Sequence, residues 1–143
     1  MKISSTDFEE GGFIPKRFTC QGADVNPLLF IEDVPEGTQS LAIIVDDPDA
    51  PLGTWVHWVM YDIPPTTRIE ESTAPGKQGL NDFGNNNYGG PCPPLGTHRY
   101  FFKVYALDKM LGIPEGKNKQ DVQWSMQGHI LANAELMGKY KKE

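Results

Sequence analysis

The sequence predicts a single, mainly β domain over residues 1–143, and three observations carry this prediction. A chain of 143 residues has the length of one typical domain. Fifteen glycines and twelve prolines exceed average usage and indicate many turns. Three runs rich in β-branched and aromatic residues have the length and composition of strands in one sheet.

These three runs are Ser40–Val45, Thr54–Ile63 and Arg99–Leu107. Side chains alternate between the two faces of a strand, and the alternation assigns their faces. In the second run it places Trp55, His57, Val59, Tyr61 and Ile63 on one face, and Val56, Trp58, Met60 and Asp62 on the other. In the third run it places Tyr100, Phe102, Val104 and Ala106 together, opposite Arg99, Phe101, Lys103 and Tyr105.

Shorter strands are predicted at Lys2–Ser4, Phe18–Cys20 and Leu28–Ile31, each flanked by Gly, Asn or Pro. Residues 64–97 are too long for a hairpin loop and rich in Gly, Asn and Pro, which is typical of a functional loop. Near the C-terminus, apolar residues recur at helical spacing and Asn118 can act as the N-cap. We therefore expect one amphipathic helix from about residue 119 to 138, packed on the sheet.

Composition excludes several classes of partner. A net charge of −6 gives no sequence-wide attraction to nucleic acid. No run approaches the roughly 20 apolar residues of a membrane span, and the N-terminus has no apolar export segment. We therefore expect a cytoplasmic protein. Cys20 and Cys92 form no CxxC pair, so reduced thiols are expected, with one long-range disulfide as the other option.

Three polar sites stand at strand ends or inside apolar strands. Asp46–Pro51 follows a buried strand and is stiffened by two prolines, although it also fits a simple Asx-type turn. His57 lies in an aromatic strand, where a satisfied core histidine is the ordinary interpretation. Gly96–Tyr100 places His98 and Tyr100 on one face, and alone it is an ordinary strand entry.

The three sites together predict an anion pocket. If the long strands are neighbours, then Asp47, His57, His98 and Tyr100 can meet at one end of the sheet. Imidazoles and a phenol donate hydrogen bonds to an oxyanion, and glycines let backbone N–H groups approach it. Such an anion favours protonated imidazoles, so its binding should weaken as the pH rises through the histidine range.

Two motifs carry a family resemblance. DPDAP at Asp47–Pro51 precedes His57-Trp58, and GPCPP at Gly90–Pro94 precedes GTHRYFFKVYALD. In these motifs, and in MQGHILANAEL near its C-terminus, the sequence resembles the phosphatidylethanolamine-binding protein (PEBP) family, in its bacterial and archaeal, Raf-kinase-inhibitor-like branch. The resemblance runs from about Phe8 to Tyr140. It implies a β-sandwich-like fold with a large antiparallel sheet, a second smaller sheet, Greek-key connections and a C-terminal helix.

The resemblance also implies a site that binds a phosphate, acetate or phospholipid headgroup, with no catalytic residue, cofactor or metal. The ligand-binding residues it implies are Asp47, His57, His98, Tyr100, Gly90 and Cys92. The residues it implies as support for the pocket are Asp49, Pro51, Trp55 and Pro91. Trp58 is then expected in the core, and a homodimer is suggested by bacterial relatives, with the Pro-rich loop as its face.

Two other functions stay open. An enzyme, either metal-dependent or a hydrolase, could use Asp47, His57 and His98, although no GxSxG motif and no metal-ligand spacing is present. A regulatory inhibitor of a kinase or protease could hold its partner's phosphate or carboxylate in the pocket. Only the family name supports this last function, so the site itself is the stronger argument for anion binding.

Overall fold

Two antiparallel sheets form a sandwich in the computed structural model, which describes residues 1–143. The small sheet has the order β1-β2-β5, and the large sheet the order β6-β4-β3-β7-β8. The strands are β1 Lys2–Ser4, β2 Leu29–Glu32, β3 Ser40–Asp47, β4 Trp55–Ile63, β5 Arg68–Ile69, β6 Lys77–Gln78, β7 His98–Leu107 and β8 Ile130–Tyr140. The mainly β prediction and its three long strands are confirmed.

The main core lies between the two sheets. It joins Ile31 of β2 to Ile43, Trp58 and Phe102 of the large sheet, all fully buried. The predicted faces of β7 are confirmed, because Tyr100, Phe102, Val104 and Ala106 all belong to this core. A smaller core covers the opposite face of the large sheet, where the helix packs.

The predicted faces of β4 are wrong at both ends, because the pairing of β4 with β3 shifts register twice. At the C-terminal end, Ile63 lies in the main core, on the face opposite Val59 and Tyr61. At the N-terminal end, His57 is a β-bulge. Val45 of β3 pairs with Trp58, and Asp46 pairs with Val56, so His57 is an extra residue with no partner on β3. Val56 consequently shares the smaller core with Val59, whereas Trp58 lies in the main core as expected. The bulge turns the His57 ring toward Tyr100, with ring centroids 5.1 Å apart.

The predicted C-terminal helix begins correctly and ends early. Helix α1 covers Lys119–Met126, with the Asn118 side chain accepting a hydrogen bond from the Asp121 N–H at 2.9 Å. Beyond Gly128, at φ 79°, the chain forms β8 and pairs with the whole of β7. Four of the five apolar residues in the pattern recur at intervals of four, and this spacing also fits one face of a strand, so it does not separate the two structures. The helix falls short of a membrane span.

Segment 18–20 is a turn rather than a strand, and it carries a disulfide. A 3₁₀ turn covers Lys16–Phe18, and the Cys20 N–H donates to the Pro91 carbonyl at 3.1 Å. This contact holds the segment beside residues 90–92, and Cys20 is bonded to Cys92. The expectation of reduced thiols is therefore wrong. The packing of these two loops brings together cysteines that are 72 positions apart.

Candidate functional site

A cavity of about 270 Å³ lies at the end of the large sheet where β3 finishes and β4 and β7 begin. These ends coincide because β3 runs antiparallel to both of its neighbours. The cavity is lined by Asp47, Ala50, Pro51, Trp55, His57, Phe83, Cys92, Pro93, Pro94, His98 and Tyr100. The structure thus brings together the four side chains that the sequence placed at one sheet end.

Asp47 and His98 form a buried pair in this cavity. The His98 Nδ1 atom donates to Asp47 Oδ2 at 2.6 Å, and the Asp49 N–H donates to Asp47 Oδ1 at 2.7 Å. Both oxygens of Asp47 are thus engaged, and the carboxylate would repel a bound anion. Asp47 therefore orients the His98 ring, and the ring nitrogen that remains for a ligand is Nε2.

His57 is fixed in the same way by the backbone. Its Nδ1 atom lies 2.7 Å from the Gly89 carbonyl oxygen, which only accepts hydrogen bonds, so Nδ1 carries a proton. Burial lowers the pKa of His57 below its ordinary value of 6.5. The neutral ring therefore has a lone pair on Nε2, and this atom becomes a donor only when the ring takes up a second proton.

Both Nε2 atoms are accessible from the cavity. No buried side-chain nitrogen or oxygen lacks a hydrogen-bond partner, and neither Nε2 atom makes a hydrogen bond. Each Nε2 atom therefore keeps accessible surface, although His57 and His98 are only 3% and 7% exposed. Tyr100 lies beside them, and burial together with the nearby Asp47 raises the pKa of its phenol, which stays protonated and able to donate.

Asp49 holds the loop that follows β3. Its carboxylate accepts from the Arg99 N–H at 3.0 Å and from two guanidinium nitrogens of Arg99, each at 2.9 Å. The Arg99 hydrogen bonds lower the pKa of Asp49 to about 2. Asp49 does not line the cavity, which agrees with a supporting role.

Residues 90–92 do not form a continuous cavity wall. Cys92 lines the cavity, whereas Gly90 and Pro91 do not. The Gly90 N–H donates to Asp24 Oδ1 at 2.8 Å, and a Cβ at Gly90 would lie 2.3 Å from the Phe18 carbonyl oxygen. Gly90 is therefore needed for close packing against the 18–20 segment, and it offers no N–H to a ligand.

Four further residues line the cavity that were not predicted from the sequence: Ala50, Phe83, Pro93 and Pro94. Phe83 is the only aromatic residue in segment 81–87, whose other residues are Asn, Asp and Gly, and a lone aromatic residue in a polar loop was the signal that could have indicated it. The other expected residues of the wall, Pro51 and Trp55, do line the cavity. No three side chains of the His, Cys, Asp or Glu types are grouped so as to hold a metal ion.

The lowered pKa of His57 predicts a pH-dependent stability. The unfolded chain takes up a proton at His57 near pH 6.5, whereas the folded protein does so only at lower pH, so acidification favours unfolding. Between about pH 7.5 and 5.5 the free energy of unfolding should therefore fall more in the wild type than in His57→Gln. Urea unfolding at several pH values measures this, and equal slopes for the two proteins would contradict the assignment.

Comparisons with known proteins agree with this fold. A family model described as phosphatidylethanolamine-binding protein matches residues 4–141. A UPF0098 protein of Aquifex aeolicus is 51% identical, over 100% of this chain and 90% of the relative. The crystal structure of a PEBP homologue from Chlamydia trachomatis is 42% identical, with a TM-score of 0.96 over 99% of this chain and 97% of its own. The crystal structure of Escherichia coli YbcL, described as a new member of the mammalian PEBP family, has a sequence 30% identical to this chain. Its TM-score is 0.91, and the match covers 99% of this chain and 98% of YbcL.

Proposed function

We propose that this chain, which belongs to the phosphatidylethanolamine-binding protein family, binds a small oxyanion in the cavity at the end of β3, β4 and β7. The oxyanion is a phosphate, or the phosphorylated headgroup of a larger molecule. One observation carries the proposal: two histidines line one cavity with Nδ1 engaged and Nε2 accessible. No lysine or arginine lines the cavity, so protonated imidazoles are the cations that an anion can meet there.

Binding of an anion should be coupled to uptake of protons. An oxyanion placed against a neutral His57 or His98 would face the lone pair of Nε2, which repels it. Protonation turns each Nε2 into a charged donor, and charge-assisted hydrogen bonds are the strong ones. The Tyr100 hydroxyl can add a third donor without any change of charge.

A phosphate titration followed by NMR tests this proposal. We expect the imidazole signals of His57 and His98 to shift at millimolar phosphate or phosphoethanolamine, because the bound anion would lie against both rings. The third histidine, His129, pairs with Asp108 outside the cavity and serves as the internal control. Unchanged signals of His57 and His98 at millimolar ligand would refute the proposal.

A hydrolase is the second candidate, and one observation favours it. A carboxylate that holds Nδ1 of a histidine, as Asp47 holds His98, is the arrangement of a general base. No Ser, Thr or Lys lines the cavity and Cys92 is in a disulfide. In this second candidate function, His98 would activate a water as the nucleophile. Turnover of p-nitrophenyl phosphate that disappears in His98→Gln would establish this function.

Regulation of a kinase or protease is a proposal by analogy with the family's Raf-kinase-inhibitor-like branch. Here the cavity would hold a phosphate or carboxylate of the partner. Affinity capture with the wild type and with His98→Ala would separate partners that depend on the cavity from those that do not. The expected homodimer stays a prediction.

The cytoplasmic location also stays a prediction. It is compatible with the Cys20–Cys92 disulfide only in a cell whose interior lets that bond persist. Disulfides persist in oxidising compartments and, inside cells, in proteins of hyperthermophiles. Thiol labelling of the protein isolated from its native source, with thiols blocked during lysis, would report which state occurs there.

A further inference from the structure

Four aromatic rings form a continuous series along one wall of the cavity. Trp55 and Phe83 are 5.5 Å apart between ring centroids, Phe83 and His57 are 5.2 Å apart, and His57 and Tyr100 are 5.1 Å apart. Each pair is close to edge-to-face, with interplanar angles of 74°, 74° and 86°. The first two rings are 39% and 42% exposed, and Tyr100 is 1% exposed, so the series leads from the surface to the proposed anion site.

The walls of the cavity are rigid. The Phe83 ring lies against Gly89, where a Cβ would come within 2.6 Å of a ring carbon. The Phe83 N–H donates to the buried Asn81 side chain at 3.0 Å. Pro51, Pro93, Pro94 and the disulfide-bonded Cys92 complete the walls. A wall of prolines, rings and a disulfide has few rotamers to lose when a ligand binds.

The cavity is larger than an oxyanion. A phosphate has five heavy atoms and, at no more than about 30 Å³ each, fills at most about 150 Å³. The cavity holds about 270 Å³, so at least about 120 Å³ remains, the space of about four waters. That space borders rings and prolines, and water there would gain few hydrogen bonds, so an apolar group attached to the anion would displace it favourably.

We infer that the preferred ligand is an aromatic oxyanion, in which a ring is attached to a phosphate or carboxylate. This inference rests on the proposed anion site. The charged group would meet the two imidazoles, and the ring would lie along Trp55 and Phe83 in edge-to-face or offset contact. A flexible alkyl chain fills the same volume, but it loses more rotational freedom in a rigid slot, so the ring is preferred.

Calorimetric titration with three probes tests the inference: inorganic phosphate, phenyl phosphate and n-hexyl phosphate. We expect phenyl phosphate to bind at least about fivefold more tightly than phosphate, the effect of burying part of a ring, and more tightly than hexyl phosphate. Two results would overturn the inference and leave the anion site intact. In the first, phenyl phosphate binds no more tightly than phosphate; in the second, hexyl phosphate binds more tightly than phenyl phosphate. If none of the three bound, the anion site itself would fail.

A matched pair of variants tests whether the preference for phenyl phosphate arises at the ring of Phe83. Phe83→Leu removes the ring that bridges Trp55 and His57, and it should bring the affinity ratio of phenyl phosphate to phosphate below about twofold. Phe30→Leu removes a half-buried ring on the small sheet that packs against Arg68, and the ratio should stay at the wild-type value. An unchanged ratio in Phe83→Leu would overturn the inference. If Phe83→Leu does not fold, the titration of the wild type with the three probes still tests the preference for an aromatic oxyanion.

Discussion

Replacing both Cys20 and Cys92 by serine is expected to lower the free energy of unfolding by about 4 kcal/mol. The two cysteines are 72 positions apart, and the crosslink removes the entropy of closing a loop of that length from the unfolded chain. Cys92 also lines the cavity, so its wall loses a covalent anchor and phosphate affinity should fall as well. Denaturant unfolding measures the first effect, and calorimetry with phosphate measures the second.

A reductant provides the control for this prediction. Dithiothreitol should lower the stability of the wild type to about that of the double serine variant, and it should leave the variant unchanged. Equal stability of the oxidised wild type and the double variant would contradict a stabilising crosslink. A stability loss without any loss of phosphate affinity would show that the disulfide supports the fold and not the cavity.

Replacing both His57 and His98 by glutamine is expected to lower phosphate affinity by at least about 100-fold at mildly acidic pH. Two charge-assisted hydrogen bonds, each contributing about 1.5–3 kcal/mol, account for a loss of that order. Glutamine keeps a side-chain N–H that can replace Nδ1, so the neighbouring groups retain partners. Each single variant should lose about half of the binding free energy that the double variant loses.

His129→Gln is the matched control for the double histidine variant. His129 is paired with Asp108 at 2.8 Å and lies outside the cavity. Its replacement should leave phosphate affinity unchanged. Similar affinities of the wild type and the His57/His98 variant, or an equal loss in His129→Gln, would place the anion somewhere else on the protein.

The fold followed from the sequence where the pattern was local. Runs of β-branched and aromatic residues bounded by Pro and Gly located β3, β4 and β7 within two residues at each end. The antiparallel order of these strands then brings Asp47, His57, His98 and Tyr100 to one cavity. Polar residues at the ends of apolar strands were a sufficient signal, because the ends of neighbouring antiparallel strands coincide.

The sequence could not reveal features that depend on long-range packing. The bulge at His57 arises from the register between β3 and β4, and nothing in the residues around it marks an extra position. The Cys20–Cys92 disulfide depends on the packing of two loops that no local pattern connects. The end of α1 was marked by Gly128, but the apolar spacing beyond it fits a helix and a strand alike.

The coupling between anion binding and proton uptake tests the central claim most directly. Sulfate is the suitable probe because it does not itself titrate near neutral pH. Calorimetric titrations of sulfate near pH 7, in two buffers with different ionisation enthalpies, give the number of protons taken up per bound anion. We predict an uptake of about one proton or more, since burial keeps His57 neutral in the free protein. Sulfate binding without proton uptake would contradict the claim that the two imidazoles hold the anion.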